Sequence, residues 1–399
     1  MITGLRTRVV RVPLHTPFVT ALRRTDHAET LVVELTDEDG VTGWGEAPQV
    51  WRVTGDSLAG SQACLEGPLR DVLVGAPADP RETGPRVQAA VVANHAARMA
   101  ADIALHDLAA RRTGRTLAEH LATYVGATAT PGPVRTDVTL SAGEPGALAE
   151  AAAARTAEGF TTIKVKVGTD AATDAARVLA VRAATGPDVV LRLDANQGWD
   201  AHDAVRVIRE LEDAGAGIEI VEQPVRRRDL HGLAYVRRNV TTPIMADESV
   251  FDLDDLVDVI RYAAADCVNV KLAKCGGLTP ALELLEVAGR HGLGRMVGCM
   301  MESHLGIGAG AALVSALGLP GAHDLDAGWW ATRSPYLGGV TYDGPRIELP
   351  DAPGLGITLD RDALARLHEQ YVKSGITKRD DTGYMQQFQP DFAARSAAW

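Results

Sequence analysis

Short β-rich runs alternate with helical segments over the middle of the chain, and this alternation restricts the possible folds more than any other feature. Eight runs have the composition of strands: TDVTL, TTIKVKV, VVLRLDA, GIEIVEQ, TPIMADE, CVNVKLA, GRMVGCM and GAHDLDA. Alanine-rich or amphipathic segments such as AHDAVRVIREL separate them. Because a helix carries the chain back across the sheet, such strands run parallel. Eight of them, about 25 to 30 residues apart, predict a closed α/β barrel over residues 126–345.

An open, doubly wound parallel sheet is the alternative architecture. In such a fold a glycine-rich dinucleotide fingerprint often follows the first strand, and ligands bind at one switch point in the strand order. The first strand here has no such fingerprint, and polar residues follow nearly every strand. Both observations favour the barrel.

The first 125 residues differ in sequence pattern from the rest of the chain. TLVVELT and VTGWGEA flank Asp37-Glu38-Asp39-Gly40, which predicts a hairpin because Asp-Gly tolerates positive φ. An alanine-rich stretch from about Pro85 to Leu121 predicts helices with a break near Gly114. We therefore expect an α+β domain over residues 1–125. Residues 346–399 are expected to complete that domain and to continue as a polar tail, either an oligomer contact or a tail over a neighbour.

Composition excludes several classes of partner. The net charge of −12, without a basic block, argues against nucleic acid and anionic membranes. No run approaches the roughly 20 apolar residues of a transmembrane helix, and the N-terminus alternates, unlike a signal peptide. The four cysteines lack CxxC spacing, which suits a reducing compartment. These features predict a cytoplasmic protein and say nothing about a small-molecule substrate.

Two lysines share one face of the second barrel strand, Ile163-Lys164-Val165-Lys166-Val167. Period-two geometry directs both into the barrel, where repulsion and partial desolvation are expected to lower at least one lysine pKa. A lone lysine would more often extend to solvent. Lys271 follows on the sixth strand, four strands from Lys166 and therefore on the opposite wall. Such a pair could remove a proton from one face of a carbon and return it to the other, which inverts the centre.

Strands three, four and five end in Asp194, Glu222 and Asp247, one acid each. A single such acid commonly caps the following helix. Three that converge on one face of a parallel barrel would repel one another unless a cation lay between them. Oxygen ligands favour a hard ion, so we expect Mg²⁺, with Mn²⁺ as the alternative.

Together, Lys164-x-Lys166, Asp194, Glu222, Asp247 and Lys271 resemble the muconate-lactonizing subgroup of the enolase superfamily, over about residues 1 to 360. The resemblance implies a modified (β/α)7β TIM-like barrel with an N-terminal α+β capping domain. It further implies that the three acids bind Mg²⁺ and that Lys166 and Lys271 are the acid/base catalysts. Lys164 would tune Lys166 or hold the substrate carboxylate.

The eighth strand carries a second acidic pair, Asp324 and Asp326, again on one face. The pair could clamp a substrate ammonium, and a solvated strand end is the alternative. It resembles the Asp-x-Asp motif of dipeptide epimerases, whereas muconate and succinylbenzoate carry no ammonium. MVGCMMES, which ends the seventh strand at Glu302, has the same resemblance, and Met301 is expected to line the side-chain pocket unless it belongs to the core.

The TALR run at residues 20–23 resembles that of L-Ala-D/L-Glu epimerases. The resemblance implies that Arg23 meets an acidic side chain on the second residue of the substrate. Arg24, Asp26 and His27 give the loop mixed charge, which leaves another preference open. Trp329 and Trp330 either wall the pocket or only pack.

The sequence thus predicts an isomerase, a Mg²⁺-dependent dipeptide epimerase that inverts the C-terminal α-carbon of an L-Xaa-L-Xaa dipeptide through an enediolate. N-acylamino acid racemase, o-succinylbenzoate synthase and muconate cycloisomerase are alternatives on the same scaffold, and a non-catalytic binding protein is a further one. The resemblance also implies a homo-oligomer.

Overall fold

The structure, a computed structural model, describes residues 1–20, 24–127, 132–363 and 366. Its N-terminal part begins with an antiparallel sheet in the order β1 (Ile2–Val19), β2 (Arg24–Asp37) and β3 (Thr42–Pro48). Five helices follow: α1 (Leu58–Glu66), α2 (Pro68–Leu73), α3 (Pro80–Ala89), α4 (His95–Arg112) and α5 (Leu117–Tyr124). The predicted turn joins β2 to β3, with Gly40 at a φ of 78°. The hairpin prediction is confirmed.

The alanine-rich stretch forms most of α4 and α5. The break near Gly114 is confirmed, and a capping box at Thr116 and Glu119 starts α5. A second break was not predicted: Ala93 and Asn94 have φ values of 53° and 48°, in the left-handed region that a helix cannot contain.

A closed ring of parallel strands forms the second part. Its strands are β4 (Val134–Thr136), β5 (Val138–Leu140), β6 (Thr162–Lys166), β7 (Val190–Asp194), β8 (Ile218–Glu222), β9 (Ile244–Ala246), β10 (Cys267–Lys271), β11 (Gly294–Gly298) and β12 (Ala322–His323). Strands β5 to β11 are hydrogen-bonded in sequence order, and β12 pairs with β4. The Asp324 N–H also donates to Val297 O at 3.1 Å, which joins β12 to β11. The predicted barrel is therefore confirmed over the open sheet.

Helices cover the outside of the barrel and complete its upper end. They are α6 (Pro145–Ala157), α7 (Asp174–Thr185), α8 (Ala201–Asp213), α9 (Leu230–Asn239), α10 (Leu253–Arg261), α11 (Leu272–Cys275), α12 (Leu278–Arg290), α13 (His304–Leu317) and α14 (Ala327–Trp330). Across the described ranges, no helix is both long and apolar enough to cross a membrane.

The chain after the barrel contacts both parts. Strands β13 (Tyr336–Gly338) and β16 (Ile357–Leu359) pair with each other, and β14 (Thr341–Asp343) pairs with β15 (Arg346–Glu348), which lies against β4. Leu355 N–H donates to Asp107 Oδ1 on α4 at 2.6 Å, and Arg111 Nη2 donates to Ile357 O at 2.9 Å. This segment therefore fastens α4 to the barrel. The predicted polar tail falls, from residue 367 onwards, outside the described residues.

Candidate active site

The predicted site residues lie at the carboxyl ends of neighbouring strands in matching register. Lys166 is the register partner of Asp194, and Asp194 of Glu222. On the opposite side of the ring, Lys271 of β10 is the register partner of Gly298 on the adjacent strand β11. Residues paired in this way lie at the same depth along a parallel barrel. The sequence-predicted groups therefore form one layer at its upper end.

A cleft-shaped cavity lies above this layer, and the space of about 540 Å³ within it is partly open to solvent. Six of its lining residues carry charged side chains that the sequence predicted for the site: Lys164, Lys166, Asp247, Lys271, Asp324 and Asp326. Phe18, Thr20 and Val53 line it from the capping domain, and Met300 and Met301 from the end of β11. Both domains thus form the cavity, and Met301 is one of its lining residues.

Each lysine of the layer is paired with a buried carboxylate. Lys166 Nζ lies 2.5 Å from Asp194 Oδ2. On the opposite wall, Lys271 Nζ lies 2.8 Å from Asp247 Oδ2. Lys164 Nζ lies 2.5 Å from Asp324 Oδ2 and 3.4 Å from Glu222 Oε2. Charges in this layer therefore alternate, which offsets the cost of burying them.

The decrease in pKa that was expected for a lysine of β6 is not found for Lys164, and the pKa of Lys271 on the opposite wall is raised as well. Burial, the largest single influence, lowers both values, but neighbouring carboxylates outweigh it. Asp324 and Glu222 raise the pKa of Lys164, and Asp247 and Glu222 raise that of Lys271, well above the ordinary value. The expectation rested on two neighbouring ammonium groups, and it missed the acids that the tertiary fold brings between them.

Asp194, Glu222 and Asp247 were predicted as metal ligands. As they stand, no three acidic, histidine or cysteine groups in the described part of the chain converge on one point. Lysine ammonium groups lie against Asp194 and Asp247 instead. The chemistry of the donor set suits a hard divalent cation, since all three carboxylates are buried, and burial and the Asp194 charge raise the Glu222 pKa to about 7.

Nearby oxygens support the same fit. Glu248, directly after Asp247, is buried, and its Oε2 accepts no hydrogen bond from the described residues. The same holds for Asn196 Oδ1, two residues after Asp194. Buried acceptors without donors are uncommon in proteins and point to a bound cation or water.

Two further residues were missed by the sequence reasoning. Asn269 precedes Lys271 by two positions on β10 and donates through Nδ2 to Glu222 Oε1 at 2.8 Å. The same period-two argument that joined Lys164 to Lys166 could have found it. Lys274 is 1 % exposed and donates to the carbonyl oxygens of Asn269, Val250 and Asp247, with its Nζ 2.6 Å from Asp247 Oδ1. No local pattern indicates those contacts.

The acidic pair of the eighth strand is buried beside the lysines, so a solvated strand end is excluded. Lys164 and Lys271 lower the Asp324 pKa well below its usual range despite burial. Asp326 Oδ2 accepts hydrogen bonds from Thr139 N at 2.8 Å and from Trp330 Nε1 at 3.0 Å. Burial and the Asp324 charge raise the Asp326 pKa. The two carboxylates thus differ in partners although they share the cavity.

Glu302 does not line the cavity but faces a carboxyl group from the capping domain. Glu46 on β3 accepts hydrogen bonds from Ser303 Oγ and Gly306 N, both at 2.6 Å. A Cβ placed on Gly306 would lie 2.3 Å from Glu46 Oε1 and 2.4 Å from Glu302 Oε2, so the two carboxyls adjoin that point. Burial and Glu46 raise the Glu302 pKa to about 8.

Arg23 lies outside the described residues. Thr20, the last described residue before it, lines the cavity.

Comparison with known proteins agrees with this architecture. Residues 2–121 match the family described as the mandelate racemase/muconate lactonizing enzyme N-terminal domain, and residues 147–363 match that described as enolase C-terminal domain-like. The chain is 40 % identical to an L-Ala-D/L-Glu epimerase of Bacillus subtilis, over 89 % of this chain and 96 % of that protein.

A second relative is a hydrophobic dipeptide epimerase of Enterococcus faecalis, 38 % identical over 90 % of this chain and 99 % of that protein. A crystal structure of the Enterococcus faecalis dipeptide epimerase, complexed with Mg and the dipeptide L-Leu-L-Tyr, superposes with a TM-score of 0.83. It covers 90 % of this chain and 99 % of its own, at 38 % identity. With both of its domains matched, this chain belongs to the mandelate racemase/muconate lactonizing enzyme family of the enolase superfamily.

Proposed function

We propose that the protein is a Mg²⁺-dependent dipeptide epimerase that inverts the α-carbon of the C-terminal residue of an L-Xaa-L-Xaa dipeptide. One observation carries the proposal: Lys166 and Lys271 line opposite walls of one cavity, with a buried acidic pair, Asp324 and Asp326, beside them. Proton transfer by two bases requires a lysine on each side of the substrate carbon. A substrate with an ammonium group requires carboxylates to bind it. The activities of the relatives support the same substrate class.

In this mechanism one lysine takes the α-proton from one face of the substrate. It must do so as the neutral amine, which for Lys271 requires release from Asp247, whose charge raises its pKa. The other lysine, as the ammonium, returns a proton to the opposite face, so the centre inverts. Asp194, Glu222 and Asp247 would hold Mg²⁺, with Mn²⁺ as a substitute. Held there, Mg²⁺ would supply the positive charge that stabilises the substrate carboxylate as the α-proton leaves.

The remaining residues bind and orient the substrate. Asp324 and Asp326 would hold the α-ammonium group, which places the second residue of the dipeptide between the lysines. Lys164, beside Lys166 on β6, would tune that lysine or contact the substrate carboxylate. Met301 supplies an apolar wall for the substrate side chain.

Incubation with L,L-dipeptide mixtures in D₂O with Mg²⁺, read by mass spectrometry, tests the proposal. A gain of one deuteron confined to certain dipeptides is expected. Lys166→Ala or Lys271→Ala should abolish epimerisation, and chelation of Mg²⁺ should stop exchange. Full epimerase activity in either variant would refute the two-base mechanism. Exchange with N-acylamino acids alone would indicate a racemase on the same scaffold, and exchange with no substrate a binding protein.

The preferred second residue is proposed to be acidic, through Arg23. In the dipeptide screen, Arg23→Leu should lose L-Ala-L-Glu turnover while Arg24→Leu, its matched neighbour, retains it. Equal losses in both variants would assign the preference elsewhere, for instance to an apolar side chain against Met301.

We further propose a cytoplasmic homo-oligomer. The cysteines are free, as a reducing compartment requires. Light scattering on the purified full-length chain measures the assembly state, and a monomer would contradict that part of the proposal.

A further inference from the structure

The orientation of Asp326 is fixed by two donors on the same oxygen. Thr139 N–H and Trp330 Nε1–H both point to Oδ2, at 2.8 and 3.0 Å. Two hydrogen bonds to one oxygen hold the plane of the carboxylate and set the direction of Oδ1. One donor is backbone and belongs to the barrel. The other is the indole of Trp330, a side chain that mutation can change.

The Trp330 ring also contacts the capping domain. Trp330 is 6 % exposed, and its ring is stacked on His15 of β1, with centroids 5.3 Å apart and planes 11° apart. Phe18, three residues further along β1, meets the same ring edge-on at 5.3 Å. Phe18 in turn lines the cavity, 6.0 Å from Lys166 Nζ. One indole therefore touches Asp326 through its N–H and the capping strand, at His15 and Phe18, through its ring.

Backbone pairing fastens the same two segments together. Thr332 N–H donates to Pro13 O at 2.9 Å, and Leu14 forms an antiparallel bridge with Ala331. The residues directly after Trp330 thus pair with β1 at Pro13 and Leu14. Phe18, four residues after Leu14 on β1, lines the cavity. A shift of this strand would move the indole, and with it the hydrogen bond to Asp326.

We propose that Trp330 is a positioning residue that orients Asp326 toward the substrate ammonium and couples that orientation to the capping strand at His15 and Phe18. The proposal rests on the dipeptide function proposed above. It assigns to Trp330 a part of the selectivity for substrates with a free α-amino group, separate from proton transfer by the lysines.

The neighbouring Trp329 offers a matched control. Its ring packs against Phe160 at 5.7 Å and beneath the Arg155 guanidinium at 4.7 Å, and it is only partly buried. Both tryptophans touch His15, so a tryptophan-to-phenylalanine change at either position perturbs the same cluster. The indole N–H that donates to Asp326 is that of Trp330.

The experiment compares two ligands in Trp330→Phe, Trp329→Phe and the wild type with Mg²⁺. The first ligand is the dipeptide that gains most deuterium in the screen, and the second is its analogue with hydrogen in place of the α-amino group. Calorimetry gives both dissociation constants, and exchange rates give kcat and KM. Trp330→Phe should reduce the preference for the dipeptide about tenfold, the usual effect of losing one hydrogen bond to a charged group. KM should rise and kcat should change little, whereas Trp329→Phe should leave the preference unchanged.

A purely structural role predicts a different result: Trp330→Phe would weaken both ligands equally, and that outcome overturns the proposal. His15→Leu keeps the indole and removes its stacked partner, so it tests the coupling even if Trp330→Phe fails to fold. It should reduce the preference in the same direction, and an unchanged preference would refute the coupling. Failure of the proposed function is separate, because then the wild type exchanges no dipeptide at all.

Discussion

At the scale of single residues, Lys274 shows how the barrel interior balances charge. Its ammonium is buried against three carbonyl oxygens, two from the stretch after β9 and one from β10, and against the carboxylate of Asp247. Removing one member of a buried ion pair leaves the other charged and unsolvated, which costs more than the pair contributed. The residue therefore holds the ends of β9 and β10 together beside Lys271.

Lys274→Met should reduce the free energy of unfolding by about 3–5 kcal/mol, because Asp247 and three carbonyls lose their donor. Urea denaturation measures the change. Arg290→Met is the control, since Arg290 pairs with Glu286 on an exposed surface and should change stability by less than about 0.5 kcal/mol. A urea midpoint of Lys274→Met equal to that of the wild type would contradict this stabilising role of Lys274.

Gly298 makes room for the lysine on the neighbouring strand. A Cβ at this position would lie 2.4 Å from Asn269 Oδ1 and 2.9 Å from Lys271 Cε. Gly298→Ala should therefore displace Lys271 and reduce epimerase activity about 100-fold, as small displacements of catalytic groups do.

The Gly298→Ala measurement is the deuterium exchange rate on protein shown to be folded by circular dichroism. Gly143→Ala serves as control, because its nearest new contact would be Leu148 at 3.8 Å. Activity in Gly298→Ala equal to that of this control would show that Lys271 tolerates the shift.

At the scale of elements, the capping sheet and α4 approach each other through small residues. A Cβ on Gly45 of β3 would lie 1.9 Å from Ala100 O, and one on Gly43 would lie 2.3 Å from Ala104 O. Those contacts are with helix backbone, which cannot move aside as a flexible side chain could. The alanine content of α4 thus reflects this close packing as well as helix propensity.

Gly45→Ala should separate β3 from α4 and lower the free energy of unfolding by about 3 kcal/mol, the upper range for overpacking. Gly146→Ala adds the same methyl group in α6, where a Cβ meets nothing within 4 Å, and should stabilise by about 0.4–1 kcal/mol. Both are read from thermal and urea unfolding. Equal unfolding midpoints for the two variants would mean that β3 and α4 accommodate the added methyl group without a loss of stability.

At the scale of the whole molecule, the two domains meet through a pair of buried carboxyl groups. Glu46 comes from the capping sheet, and Glu302 from the end of β11. Glu46 also accepts hydrogen bonds at the start of α13, so it fixes the capping domain on the barrel. Burial and this neighbour give Glu302 a folded-state pKa of about 8, against an ordinary value of 4.5.

A raised carboxyl pKa stabilises the fold at low pH, and that contribution is lost as pH rises from about 4.5 to 8, because the folded state holds a proton that the unfolded chain has released. Glu302→Gln cannot ionise. Its free energy of unfolding relative to the wild type should therefore increase across pH 5 to 8, by at most about 1.4 kcal/mol per pH unit.

Urea unfolding at pH 5, 6, 7 and 8 measures this difference. Titrating groups that do not adjoin Glu302, including the buried His323, whose pKa is lowered by burial, are common to both proteins and cancel in the comparison. A difference that stays constant with pH would show that Glu302 is ionised throughout.

Local pattern was enough to predict the barrel and the positions of its chemical groups. Helix and strand alternate because hydrophobic periodicity is a property of short segments, and period two alone places Lys164 and Lys166 on one face. The carboxyl ends of parallel strands meet at one edge of a barrel, so strand order by itself brings Asp194, Glu222 and Asp247 together.

The contacts between these groups depended on the tertiary structure. Asp324 lies 160 positions from Lys164 in the chain, yet its charge helps to raise that lysine's pKa above the value expected from repulsion. The contact between Trp330 and Phe18 also joins residues that are far apart in the chain. So does the approach of Glu46 to Glu302. The sequence by itself determined which way each side chain points from its own strand. Only the packed fold decided which groups meet there, because pairing across the ring and between domains depends on strand register and packing, and no local period encodes either.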